Sequence, residues 1–515
     1  MKRRDWHRQA LAWALAPWAP GGVQAQAKAP RWQVWPFVLG VASGQPQADS
    51  VVLWTRLICA PADAALAQQA VPVQCEVFAD EALRQPVGQW TLTATPETAH
   101  SVHVLARGLS PDRPYWYRFR AGDAQSPVGR TRTAPRPQDP VTRLRLALAS
   151  CQHYEQGYFV AHREIARQDL DLVLFVGDYI YEGSNRQQQL RPHGSGIPTL
   201  LEEYRARHAL YKSDPDLQAS HAAHVWLMTW DDHEVVNDYA RDRDPAFSPP
   251  EFFLRRRAAA YRAYFEHMPL RLGPMAQTPS LMRIHDDLAW GQLAHLWTLD
   301  NRQYRDHQAC PDPRRGGGRT LRDCEALAQP GRTMLGPEQE AWLARGLRES
   351  RAHWQVLAQA TQMSPHGVDS PEGRLVWSDG WDGYPAARER LLQDVAQSGH
   401  ANVLVLGGDV HRHVAANLRL RPNDPGSPIL ASEMVATSVT SVGGTAASMA
   451  RLLASNPDVQ HARADERGYT RIEITREQAV ADMRGTPHPA RDHSTLARQA
   501  RFVVRSGQPG VLRED

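Results

Sequence analysis

Lysine is nearly missing from this 515-residue chain. Lys2, Lys28 and Lys212 are the only ones, so almost all of its 59 basic residues are arginine. They face 56 acidic residues, for a formal net charge of +3, and no basic block gathers them. That leaves no electrostatic footprint for specific nucleic-acid binding. Past the N-terminus, no stretch is apolar over the roughly 20 residues a membrane helix needs, which argues against a transmembrane segment. The chain also lacks a Gly-x-Ser-x-Gly nucleophile elbow, and Cys151 has no phosphate-cradling loop around it. Covalent catalysis by serine or cysteine is disfavoured. There is no internal repeat, and "APRPQDP" is the sole biased tract.

The start is of a different kind. "MKRRDWHRQALAWALAPWAPGGVQAQA" has Arg3-Arg4 in a charged region, a short apolar stretch from Ala10 to Ala19, and small residues at Ala25-Gln26-Ala27. This is the pattern of a secretory signal with twin-arginine character over residues 1–27. It predicts a soluble protein exported to the periplasm or beyond. Five cysteines suit an oxidising compartment: Cys59, Cys75, Cys151, Cys310 and Cys324. Cys310 and Cys324 bracket a loop that a disulfide could staple, and Cys59 with Cys75 is a second candidate pair. Cys151 is then left over and asks for another role.

Length and pattern predict two domains. Residues 35–133 read as a small all-β unit. "SVVLWTRL", "VQCEVFAD", "QWTLTAT", "HSVHVLARGL" and "RPYWYRFRAG" are short alternating runs separated by turn residues, as in a fibronectin- or immunoglobulin-like sandwich. Residues 134–140 are a proline-rich linker. From 141 to 515 the pattern is α/β. Apolar runs such as "LRLALAS", "DLVLFVG", "VWLMTW", "WQVLAQA" and "NVLVLGG" alternate with helical stretches such as "PEQEAWLARGLRES" and "PAARERLLQDVAQ".

The residues just beyond four of those runs carry the chemistry. "LRLALAS" leads into Cys151, and "DLVLFVG" into Asp178, Tyr179 and Tyr181. "VWLMTW" leads into Asp231, Asp232, His233, Glu234 and Asn237, and "NVLVLGG" into Asp409, His411 and His413. Ligand groups in open α/β sheets gather at the carboxyl ends of strands. Taken singly, each has a plain structural reading: a core cysteine, an acidic helix N-terminus, a hydrogen-bonded Asp–His pair. Those readings would have to hold at four strand ends together. In an extended segment, Asp409 and His411 would share a face. Thiolate, phenolate and imidazole suit a transition ion, whereas carboxylate and amide oxygens suit a hard one.

These motifs resemble the alkaline phosphatase D (PhoD-type) metallophosphatases. The resemblance runs through "FVLGVASGQPQADSVVLWTRL", "ASCQHYEQGYF", "DLVLFVGDYIYEG", "TWDDHEVVNDYA", "LDNRQYR", "WDGYPAARERLL" and "LGGDVHRHVAA". It implies an αββα metallophosphoesterase sandwich behind the β unit. The implied activity is hydrolysis of small phosphate monoesters and diesters at alkaline pH with Fe(3+) and Ca(2+). Residue by residue, it makes Cys151, Asp178, Tyr181 and His411 the iron ligands. Asp178 then bridges to a calcium ion also served by Asp232, Asn237 and Asp409. His233 falls where such enzymes stabilise the phosphoryl group or protonate the leaving group, and Tyr179 belongs to the core or the rim. The expected mechanism is two-metal activation of water. Two rivals are a phospholipase-like or nucleotide-directed phosphodiesterase on the same scaffold, and a non-catalytic surface-binding protein.

Overall fold

A computed structural model describes residues 30–184, 189–271 and 282–514. The signal-like residues 1–27 lie outside these. The continuous apolar runs form the centre of a ten-stranded sheet. Arg143–Ala149, Leu172–Val176 and Val225–Thr229 lie side by side in parallel, with Leu174 opposite both Leu148 and Leu227. Strands buried on both faces read as unbroken hydrophobic sequence, which is why these three are so apolar.

Four antiparallel strands, Glu466–Thr475, Gln478–Pro487, Ala497–Arg505 and Gln508–Glu514, extend one side of this sheet. On the other side Val41–Gly44 pairs in parallel with Val225–Thr229, Ser43 opposite Val225. Ser50–Arg56 and Ser101–Arg107 then continue the same sheet. The N-terminal strands are thus hydrogen-bonded into the large sheet. Their partner sheet is separate and carries Pro86–Ala94, Val71–Phe78 and Pro114–Ala121.

A second large sheet has seven strands. Ala294–Thr298, Trp354–Ala358, Val403–Gly407 and Ile429–Val435 form its parallel centre. Side-chain alternation sorts the residues into layers. Leu146, Leu148 and Leu174 share one core with Val356, Leu404 and Leu406 of the second sheet. Their neighbours Ala147, Val173 and Phe175 turn the other way, onto Tyr204, Leu217, Phe253 and Tyr264, which sit on helices. On the second sheet Val403 and Val405 pack against Leu343 and Leu347 of the Pro337–Glu349 helix and Leu391 and Leu392 of Pro385–Ser398. Full burial of one such side chain contributes roughly 1.5–3 kcal/mol. A one-residue slip of register would turn every one of them to the wrong layer.

Cys310 and Cys324 are disulfide-bonded. Cys59 and Cys75 are not, and this corrects the second expected pair. Cys75 is directed into the apolar core beside Val73, Val77 and Phe119, whereas Cys59 lies half-buried outside that cluster. Burial pushes the Cys75 thiol up, away from the reactive thiolate.

Candidate metal centre and the cavity above it

Each strand named for chemistry delivers at least one residue to a shared cluster: Cys151, Asp178, Asp232 and His411 fall in groups that all join at Asp178. Cys151, Asp178, Asp409 and His411 all have positive φ, between 53° and 62°. The chain therefore breaks sharply from extended geometry as each strand stops. Gly177, at φ 105°, is obligatory, because a Cβ there would meet the Asp231 backbone nitrogen at 2.7 Å. Asp409 and His411 do line one cavity, but not as alternate residues of an extended strand. Asp232–Val235 forms a turn, not a helix N-terminus, closed by Val235 N donating to Asp232 O at 2.8 Å.

Ligating atoms of Cys151, Asp178 and His411 lie within 4.8 Å of one another. Tyr181 sits among them. Its hydroxyl donates to Asp178 Oδ2 at 2.8 Å, lies 3.2 Å from His411 Nε2, and accepts from Ser441 Oγ at 2.8 Å. His411 Nδ1 is 2.8 Å from the Val442 carbonyl, which turns Nε2 toward Tyr181. A second group, Asp178, Asp232 and His233, meets the same 4.8 Å limit, so Asp178 belongs to both. A third joins Asp232 to Asp238 and Asp379. Asn237 and Asp409 line the cavity beside them, with Asp409 Oδ2 accepting from Thr361 Oγ1 at 2.5 Å.

His413 is not brought in. It opens the His413–Arg419 strand, and its Nδ1 accepts from Thr437 N at 3.1 Å. Tyr179 is core, its hydroxyl 2.8 Å from His221 Nε2.

The electrostatics are those of a buried acidic pit. Burial, helped by neighbouring carboxylates, pushes Asp178 well above the carboxylate range. The same cause raises Asp231, Asp238 and Asp409 to about 7. Burial and Asp178 likewise raise the Cys151 thiol and the Tyr181 hydroxyl. Burial and the Arg467 charge take His411 down to about 3, leaving a neutral imidazole that can donate a lone pair. Asp178 Oδ1 is buried without a hydrogen-bond partner among the described residues. An orphan carboxylate oxygen costs the full desolvation penalty unless a cation meets it. Sulfur, phenol, imidazole and carboxylates gathered around Asp178 are a donor set that could hold a metal ion.

Family models give the identity. One described as PhoD-like phosphatase matches residues 146–483, and one described as PhoD-like phosphatase, N-terminal domain, matches residues 23–135. The chain belongs to the PhoD-like phosphatase family. It is 43% identical over 492 residues to alkaline phosphatase D of Bacillus subtilis (strain 168), covering 94% of this chain and 83% of that relative. The solved structure titled "Structure of PhoD" superposes with a TM-score of 0.90 at 42% identity, over 95% of this chain and 94% of that one. The protein is therefore an enzyme of the PhoD type, a phosphatase.

Several residues that organise this phosphatase site have no role that the sequence alone suggests. Glu182 holds His233, Oε2 to Nδ1 at 2.6 Å, and accepts from Asn237 N at 2.9 Å. Burial alone would lower the His233 pKa, but the charges of Glu182, Asp178 and Asp232 raise it well above the usual range. Glu182 itself falls to about 2, because His233 outweighs the cost of burying it. Arg302 is fully buried between three carboxylates: Asp231 Oδ1 at 2.5 Å, Asp379 Oδ2 at 2.7 Å and Asp232 Oδ2 at 3.3 Å. Glu234 ties two strand ends together by accepting from Tyr179 N at 2.7 Å and Asp231 N at 3.0 Å. Glu182, Glu234 and Arg302 all stand inside the family-like motifs, yet only their contacts reveal what they do.

Proposed function

We propose that this PhoD-like phosphatase is an exported, metal-dependent hydrolase of phosphate monoesters and diesters. The reading takes residues 141–515 as an αββα metallophosphoesterase sandwich and residues 35–133 as a fibronectin-like unit before it. In support, one core lies between the two large sheets, and helices cover each outer face. The observation that carries the functional reading is the gathering of Cys151, Tyr181 and His411 around Asp178, whose Oδ1 has no hydrogen-bond partner among the described residues.

In this reading Cys151, Asp178, Tyr181 and His411 hold a ferric ion. Asp178, Asp232, Asn237 and Asp409 hold calcium, with Asp178 shared. Cys151 and His411 group with Asp178, and Asp232 groups with it separately, a division that would suit two unlike ions. Bound there, the two ions would acidify water into a nucleophile and clamp the phosphoryl oxygens. The chain's own residues supply orientation and a proton. Glu182 fixes the His233 ring through Nδ1, so Nε2 is left to hold a proton at the departing oxygen. The tilted packing of His233 on Tyr181, ring centres 4.1 Å apart, keeps that donor beside the same centre.

No helix among the described residues is long and apolar enough to cross a membrane. Export by a twin-arginine route would let the thiolate site be loaded before Cys151 meets an oxidising compartment. A precursor that crosses unfolded and takes up metal outside would overturn that part. The site assignment is tested by Cys151→Ser. Iron content and turnover should fall while circular dichroism is unchanged, and unchanged iron would remove the thiolate from the site.

A further inference from the structure

The cavity over the proposed metals, about 650 Å³, has an acidic floor and a basic rim. The rim is the disulfide-stapled segment between Cys310 and Cys324, which brings Arg314, Arg315 and Arg319 to the same cavity as Asp178 and Asp232. All three arginines are exposed, and among the described residues none is ion-paired with a carboxylate. Arg319 reaches only the Cys310 carbonyl, at 3.4 Å. Asp312, the acidic residue of the segment that lines the cavity, instead accepts from the backbone nitrogen of Arg314 at 2.8 Å.

This rim is built into the site. Gly318 N donates to Asp238 Oδ2 at 3.0 Å, so the loop and the floor share a carboxylate. Gly316 N donates to the Pro245 carbonyl at 2.9 Å and Arg319 N to Ser378 Oγ at 3.0 Å. The glycines permit this closeness. A Cβ on Gly317, at φ +84°, would come within 2.9 Å of Asp238 Cβ, and one on Gly318 within 2.5 Å of the Trp377 ring. Trp377 is itself 40% exposed, leaving an apolar surface beside the loop.

We propose that this loop is a second anion subsite, which selects phosphate esters that carry a further anionic group besides the phosphoryl being hydrolysed. The inference rests on the hydrolase reading above. The reacting phosphoryl is served at the floor by the proposed ions and His233. Three guanidinium groups at the rim, without a carboxylate partner among the described residues, suit another phosphate or phosphonate, which such forks bind in bidentate fashion. Trp377 offers a surface for the carbon chain between the two charges.

The test uses two p-nitrophenyl phosphodiesters that differ only in the second ester group, propyl or 3-phosphonopropyl. The enzyme should favour the phosphonate by about tenfold in kcat/KM, the scale of one or two exposed charge-assisted contacts, chiefly through KM. Raising salt should erode that ratio, because exposed pairs are screened. The triple variant Arg314→Gln/Arg315→Gln/Arg319→Gln should bring the ratio close to unity. A wild-type ratio near one, or a ratio that survives both the triple variant and salt, overturns the subsite. Hydrolysis of neither diester nor of p-nitrophenyl phosphate would instead overturn the hydrolase reading. If the triple variant does not fold, the wild-type ratio and its salt dependence decide alone.

Discussion

Arg302→Met is the sharpest perturbation of the site's framework. The guanidinium is 1% exposed and lies between Asp231, Asp232 and Asp379 at 2.5, 3.3 and 2.7 Å. Methionine keeps much of the volume but removes the group that touches all three carboxylates. Arg305 still reaches Asp379 at 3.3 Å and Asp238 N still donates to Asp232 Oδ2 at 2.6 Å, yet no other ion pair to Asp231 or Asp232 is present among the described residues. Breaking a buried pair so that the remaining charge is uncompensated costs about 3–5 kcal/mol. The loss should lie in that range in urea unfolding followed by tryptophan fluorescence, at matched metal loading. Arg302→Lys should recover only part, since one ammonium cannot replace a planar fork with three partners. Adding Asp379→Asn to Arg302→Met should give less than the sum of the single losses, because the two residues are in contact. A cost under about 1 kcal/mol for Arg302→Met would refute the reasoning: the acidic pit would then not depend on this arginine.

Three further outcomes rest on the geometry. His233→Asn should slow an alkyl phosphate by ~10²–10⁴-fold and p-nitrophenyl phosphate much less, since nitrophenolate leaves without a proton; equal losses would leave His233 in the site but not as the acid. The iron-loaded protein should absorb visible light through a phenolate–ferric charge transfer, and Tyr181→Phe should shift or bleach that band; an unchanged spectrum would remove Tyr181 from the ligand set. Away from the site, burial would raise the Asp382 carboxyl, but the His366 and Arg388 charges and backbone donors hold it at about 2, against an ordinary 3.8. A depressed folded pKa means its stabilisation is complete above pH 4 and fades as pH falls through about 2, so Asp382→Asn should flatten the acid limb of stability between these values.

The fold's centre was legible where burial is two-sided. Val173, Phe175, Val403 and Val405 sit in runs whose apolar residues serve two cores at once, and such runs cannot be mistaken for surface. The Leu201–Lys212 helix was not legible, because it buries Arg205, Arg207, His208 and Lys212. Arg205 is neutralised by Glu266 at 2.6 Å, and Arg207 donates to the carbonyls of Tyr181 and Glu182, partners 25 to 61 residues away that no local pattern announces. The pairing of Val41–Gly44 with Val225–Thr229 is equally remote in sequence.

At the site, the residue types at the strand ends were readable because strand termini collect them. Their geometry was not. Asp409 and His411 reach the cavity through left-handed backbone rather than strand alternation. Glu182 was hidden by lying next to the more conspicuous Tyr181. Its value appears only when the fold carries His233 to it from 51 residues away.

In the proposed function, phosphate-ester hydrolysis depends on two unlike ions held around Asp178. Elemental analysis of protein purified without chelators, paired with p-nitrophenyl phosphate turnover before and after mild chelation, tests it most directly. Iron and calcium should each be present at about one equivalent per chain, with calcium and activity lost together on chelation, iron retained, and activity restored by calcium alone. Full turnover by protein free of both ions would contradict it.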